Sequence, residues 1–190
     1  MRKLFILLLL LPISVPASAE VLCPRVTSRH NADLSDLGRF RRFHEWKDKQ
    51  GEELAVAVWQ YLCGPETGLF HMNSVNDGPD PWGEFSTVRD PVKLMNVYNV
   101  GYCGIFGPVL DGVFQGIGFE AGRAFAVPKW NHCTTEVWYD GGWHYFDLDV
   151  RGALRKPDGT IASVAEAQTD RDLWVNPKRK IEPFFPTDRD

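Results

Sequence analysis

Val100-Gly101-Tyr102-Cys103-Gly104-Ile105-Phe106-Gly107-Pro108-Val109-Leu110-Asp111 is the stretch on which the fold of this chain turns. Ile105, Phe106, Val109, Leu110, Val113, Phe114 and Ile117 recur with steps alternating between one and three, which draws one apolar stripe down a helix. Cys103 stands at the start of that pattern, where unpaired backbone N–H groups and the positive end of the helix dipole favour thiolate over thiol. Gly104, Gly107, Gly112 and Gly116 permit close packing along the helix. Pro108 implies either a kink or a helix that becomes regular only beyond it.

Downstream, Arg123 to Val127, Cys133 to Tyr139 and Trp143 to Val150 read as strands, and Asp140-Gly141-Gly142 as a hairpin turn. A two-residue turn at Asp140-Gly141 pairs Tyr139 with Gly142, Trp138 with Trp143, Glu136 with Tyr145, Thr134 with Asp147 and His132 with Asp149. Cross-strand partners share a face, so His132 falls on the face of both aspartates, opposite Asp149 and diagonal to Asp147. Register does not choose between them. His144 alternates to the other face and reads as an ordinary sheet residue.

Upstream, Leu34, Leu37, Phe40 and Phe43 are spaced by three, and Leu54, Ala57, Val58, Tyr61 and Leu62 by one, three and four. These patterns predict two amphipathic helices, separated near Gly51 and stopped at Gly64-Pro65. Gly64 to Pro91 is a long loop rich in Gly, Pro, Asp and Asn, of the kind that serves as a binding loop or lid, with Trp82 inside it. Beyond a turn at Lys156-Pro157-Asp158-Gly159, Ser163 to Leu173 predicts a helix capped by Ser163 with Glu166 three residues on. Prolines 177, 183 and 186 break up the tail, 176–190, which is expected to dock loosely.

Arg2 and Lys3, the apolar run Leu4 to Leu11 and Ala17-Ser18-Ala19 read as an export signal cut after Ala19. The run is shorter than the roughly 20 residues a spanning helix needs, so no integral membrane segment is expected once it is removed. The remaining residues, 20–190, suit one domain, with its core over about residues 34–175. Loss of the two cations takes the formal charge from −4 to −6, which argues against nucleic acid or anionic membranes as partners. Export leads to an oxidising compartment, secreted or periplasmic, where Cys23, Cys63, Cys103 and Cys133 would ordinarily pair. If Cys103 is a free nucleophile, Cys23 with Cys63 is the expected bridge. His30, His44 and His71 lack metal-ligand spacing, and the adjacent His132 and Cys133 point to opposite strand faces, so neither metal nor cofactor is expected.

Gly101-Tyr102-Cys103-Gly104, His132 to Trp138 and Gly142-Trp143-His144-Tyr145-Phe146-Asp147 together resemble the transglutaminase-like superfamily, over about Met95 to Val150. The resemblance implies a papain-like α+β fold, in which N-terminal helices and a nucleophile-bearing helix pack on an antiparallel sheet. It also implies Cys103 as nucleophile, His132 as general base and Asp147 as the residue that orients it; the shared strand face keeps Asp149 in reserve for that third role. Two positions depart from the family pattern. Gly104 stands where an aromatic often follows the Cys, and Cys133-Thr134 replaces the common Ala-Trp after the His. The activity implied is cysteine-dependent acyl transfer on a protein or peptide, either hydrolysis or transamidation. An inactive binding or structural module of the same fold is the competing reading. For the oxyanion, the Cys103 N–H is the first donor, and Gln60, Asn96, Asn99 and the Trp59 indole are candidate second donors.

Overall fold

The computed structural model describes residues 32–64, 69–71 and 83–183. The export-signal reading, Cys23, His30, Trp82 and the last residues of the tail fall outside them.

The chain is α+β. Two helices come first: α1, Leu37–Arg41, and α2, Gly51–Cys63. The expected first helix is therefore cut short. Its three-residue spacing suits successive turns as well as a helix, and the Arg41 guanidinium donates to the carbonyls of Trp46, Lys47 and Lys49, holding 42–49 in a wrapped turn. Phe43 and Trp46 are buried from that turn. α2 ends at Gly64, as its sequence pattern requires.

A short strand, β1 (Phe70–His71), pairs in parallel with β2 (Val100–Gly101). Between them lie α3, Pro91–Lys93, capped by the Asp90 side chain, and a wider turn over Leu94–Tyr98. α4 then runs from Cys103 to Gly116 without a break at Pro108. A helix that becomes regular only beyond Pro108 is thereby ruled out, since the helical turn begins at Cys103 itself. Phe106 N–H bonds to Tyr102 C=O at 2.9 Å, and Pro108 sits only two residues later, so its missing N–H removes a single early rung.

The three-stranded antiparallel sheet has the order β3 (Ala121–Val127), β4 (His132–Tyr139), β5 (Gly142–Phe146). Asp140 and Gly141 both have positive φ, 49° and 79°, the backbone that a two-residue hairpin turn demands. The observed rungs run from Tyr139–Gly142 to Thr135–Phe146 and include Trp138–Trp143 and Glu136–Tyr145. There β5 stops. The expected strand as far as Val150, with its Thr134–Asp147 and His132–Asp149 rungs, does not form, because Asp147 turns the chain into a closed loop whose ends are joined by two bonds between Asp147 and Gly152.

One sheet face lies on α4. A Cβ at Gly107 would press on the Cys133 sulfur at 3.0 Å, and Thr135 Oγ1 donates to the Gly107 carbonyl at 2.8 Å. Val137, Tyr139 and Phe146 join the main core with α1, α2 and α4. The other face carries a second core of Val127, Tyr145, Leu154, Ala162, Val164 and Leu173. The predicted Ser163–Leu173 helix is two short ones, α5 (Val164–Thr169) and α6 (Asp172–Val175), parted at Asp170-Arg171; its capping box between Ser163 and Glu166 is present. The start of the tail is tied down, since Arg155 N–H bonds to Arg179 C=O and Ile181 N–H to Ala153 C=O. Among the described residues no helix is long and apolar enough to cross a membrane.

Candidate functional site

Three elements converge where β4 begins. Tyr102, in extended conformation, caps α4, so that Cys103 is its first residue and the N–H groups of the first turn point out of the helix end. The link from β3 to β4 is a single tight turn, Pro128–Trp130, closed by Asn131 in left-handed conformation (φ 49°). That turn sets His132 opposite Val127 at the very end of the ladder. At the strand end the imidazole is no longer confined to one side of the sheet and reaches the helix start. The third element is the Asp147 loop.

His132 Nε2 lies 2.6 Å from Asp147 Oδ2. Its Nδ1 is 3.8 Å from Asp149 Oδ2. With Nε2 taken by Asp147, Nδ1 is the nitrogen left for Cys103. The thiol, imidazole and Asp149 carboxylate bring their donor atoms within 4.8 Å of one another, and all three residues are half-buried. The structure thus brings together Cys103, His132 and Asp147, and leaves the Asp149 carboxylate 3.8 Å from the ring nitrogen that faces Cys103.

Asp147 is nearly inaccessible, at 2% exposure, and held on every side. Its Oδ1 accepts from the N–H groups of Asp149 (2.8 Å) and Val150 (3.0 Å), and its carbonyl accepts the Trp59 indole N–H at 2.8 Å. A carboxylate fixed by backbone donors in this way presents its second oxygen to the imidazole in one orientation. Tyr145, wholly buried beside it, has its phenol pushed well above the usual range, first by burial and then by the Asp147 charge.

The electrostatics favour an ion pair. Hydrogen bonding from His132 is the largest influence on the Cys103 thiol and holds it below its ordinary range; the Cys133 N–H, donating to the sulfur, adds to this, against burial and the Asp149 charge. For His132 burial is the largest single influence and acts downward, but the bonds to Asp147 and Cys103, with the charges of Asp147 and Asp149, outweigh it and push the ring up to about 10. Both shifts act in the direction of thiolate beside imidazolium. That state supplies a nucleophile and, next to it, a proton for a leaving group.

Cys133, by contrast, is pushed up, chiefly by burial and then by the Cys103 charge. Cys63 is a free thiol at the buried end of α2, and its expected partner, Cys23, lies outside the described residues; burial raises the Cys63 pKa far above the usual range. Cys103 and Cys133 are free too. His144 is buried, stacked on Tyr139 at 3.8 Å, with its ring nitrogens on the carbonyls of Ile161 and Tyr139, remote from this chemistry. His44 packs on Phe43.

Three of the four candidate second oxyanion donors are engaged elsewhere. Gln60 donates to the Glu182 carbonyl, Asn96 to the carbonyls of Leu34 and Val92, and Trp59 to Asp147. Asn99, in left-handed conformation four residues before Cys103, keeps a buried Oδ1 without a hydrogen-bond partner. Sequence reasoning missed the part of Trp59 as a clamp on Asp147, 88 residues away, and the Cys133 N–H as a donor to sulfur. Nothing local to either residue signals these contacts.

Comparison of the chain with protein-family models, with curated proteins and with solved structures gives no match in any of the three.

Proposed function

We propose that this chain is an exported cysteine-dependent acyl-transfer enzyme of transglutaminase-like type, with Cys103 as nucleophile, His132 as acid and base, and Asp147 as the residue that orients the ring. The observation that carries the reading is the line from the pinned Asp147 carboxylate, through His132 Nε2 at 2.6 Å, to a thiol held below its ordinary range at a helix start.

The chemistry follows from those positions. The Cys103 thiolate attacks the carbonyl carbon of a carboxamide or peptide, and the oxyanion forms near the Cys103 N–H. As the carbon–nitrogen bond breaks, His132 gives its Nδ1 proton to the leaving amine and a thioester remains. Neutral His132 then takes a proton from water, or from an acceptor amine, as that group attacks the thioester and returns the sulfur to thiolate. Hydrolysis is the reading preferred, because no residue pattern marks an amine-binding site.

The test has two parts. Folded, non-reduced protein is treated with iodoacetamide near neutral pH, and fast alkylation confined to Cys103 is expected. Glutamine-containing peptides, with and without a primary amine, should then yield a mass-detectable thioester on Cys103. A slow or unselective thiol, with no acyl adduct on any peptide, would assign the fold to a binding module instead.

A further inference from the structure

We infer that Cys103, His132 and Asp149 form a binding site for one Zn2+ ion, which caps the nucleophile and holds the protein in a reversible inactive state. The binding stands on geometry alone; its consequence for turnover rests on the acyl-transfer reading.

The donors are a thiolate sulfur, an imidazole nitrogen and a carboxylate oxygen, the set that zinc takes in preference to calcium or magnesium, which want oxygen throughout. With Zn–S about 2.3 Å and Zn–N or Zn–O about 2.0–2.1 Å, tetrahedral ligand atoms sit roughly 3.3–3.6 Å apart. Here all three lie within 4.8 Å of one another, and His132 Nδ1 and Asp149 Oδ2 are 3.8 Å apart. Closing on an ion therefore asks for side-chain adjustment and no backbone rearrangement.

A further observation points the same way. A metal-bound histidine characteristically donates its other ring N–H to a carboxylate, which fixes the tautomer and the ring plane. His132 has that arrangement already: Nε2 is 2.6 Å from Asp147 Oδ2, and Asp147 is itself fixed by two backbone N–H groups and set in a loop tied to the Trp59 indole. Asp147 would thus serve both states, orienting the ring for proton transfer or for metal. Asp149 adds a donor that the acyl-transfer cycle does not use.

The proton balance is simple. Cys103 and His132 share one proton between sulfur and Nδ1. The ion takes a lone pair from each, and the proton leaves to solvent. Zinc and substrate carbonyl compete for the same sulfur electron pair. Three protein ligands leave the fourth position to water, which keeps the ion exchangeable.

The experiment uses reduced, metal-free full-length chain titrated with Zn2+ against a chromophoric chelator, with proton release read from the dependence of binding heat on buffer. One Zn2+ per chain and one proton released are expected. Cys103→Ser should weaken binding about a hundredfold or more and Asp149→Asn about tenfold, while Cys133→Ser stays within about twofold. Zinc should suppress iodoacetamide labelling of Cys103, and excess chelator should restore it. Binding that survives both Cys103→Ser and Asp149→Asn, or is lost in Cys133→Ser, overturns the assignment. The two readings fail separately: fast labelling that zinc does not suppress removes the metal site and leaves the nucleophile. One-to-one zinc binding at a thiol that labels slowly without metal does the reverse. Circular dichroism of each variant separates ligand loss from unfolding.

Discussion

The two ends of the β4–β5 hairpin are built on opposite principles. At the turn end every rung from Tyr139–Gly142 to Thr135–Phe146 is in place. There Glu136, 1% exposed, receives Arg123 Nε at 2.8 Å and the Val164 N–H at 2.6 Å, while the Arg123 guanidinium lies 4.0 Å from the Trp143 ring. It is a buried charge satisfied by its cross-strand neighbour and by the first N–H of α5. At the other end β5 has left the ladder, β4 runs on against β3 alone, and the charges of His132, Asp147 and Asp149 are held by a loop, a tight turn and a helix start. Regular pairing decides which side of a sheet a residue occupies, but it cannot bring a helix-borne sulfur and a strand-borne imidazole to one point. The irregular end can, because the strand terminus frees the side chain from the sheet plane.

If this contrast is right, substitutions at the two ends should fail in different ways. The largest effect belongs to the irregular end: Cys103→Ala and His132→Ala should each reduce turnover of a glutamine-containing peptide by about a thousandfold or more. Both should still fold, Cys103→Ala with its melting transition in place and His132→Ala with a lowered one, because the buried Asp147 loses its partner. Acyl-adduct mass spectrometry and a thermal melt check the two halves, and full activity in either variant sinks the assignment.

Asp147→Asn should cost roughly a hundred- to ten-thousandfold in turnover, since the imidazole loses its orienting anion. Its signature is in the pH profile. In the parent chain, labelling of Cys103 should rise with pH through a midpoint below the ordinary thiol range, and the imidazolium should persist to about pH 10. Asparagine removes the charge that favours imidazolium, so the upper midpoint moves down and the thiolate midpoint moves up. Stability follows the same sign. The folded His132 value is raised above the ordinary 6.5, so its contribution is fully present below pH 6.5 and is lost as pH rises through about 10. That slope should shrink in the variant, and an unchanged slope in chemical denaturation would contradict the proposed pairing.

At the regular end the expected loss is in stability alone. Glu136→Gln leaves Arg123 and the Val164 N–H poorly matched and should lower unfolding free energy by about 2–4 kcal/mol, toward the lower figure because Arg123 is half exposed. Labelling of Cys103 should stay within about twofold of the parent, and a large change would mean the two ends are not separable. The smallest effect is expected of Thr135→Val, which deletes the bond to Gly107 on the α4 face, at about 1 kcal/mol by denaturant melt.

What could be read beforehand follows the same division. The helix at Cys103, the hairpin turn and the register from Tyr139–Gly142 to Glu136–Tyr145 rest on periodicity and turn chemistry, which act between near neighbours, and they are visible along the chain. The helix expected from Leu34 fails because side-chain spacing of three does not distinguish a helix from the wrapped turn that Arg41 imposes through three carbonyls. Continuing β5 to Val150 fails because alternation carries no signal for the point where Asp147 begins to bond its own loop.

By itself the sequence determined the residue types, their order and the local conformations: a cysteine at a helix start, a histidine opening a strand, two aspartates beyond a hairpin. Only the tertiary structure decided that Asp147 takes Nε2 and Asp149 faces Nδ1, that Trp59 holds the Asp147 loop, and that Cys63 remains a buried thiol. The reason is range. Periodicity and caps are settled within a few residues, whereas each of these choices depends on the closing of loops and the packing of segments distant in the chain, whose relative placement is fixed by the core they bury together.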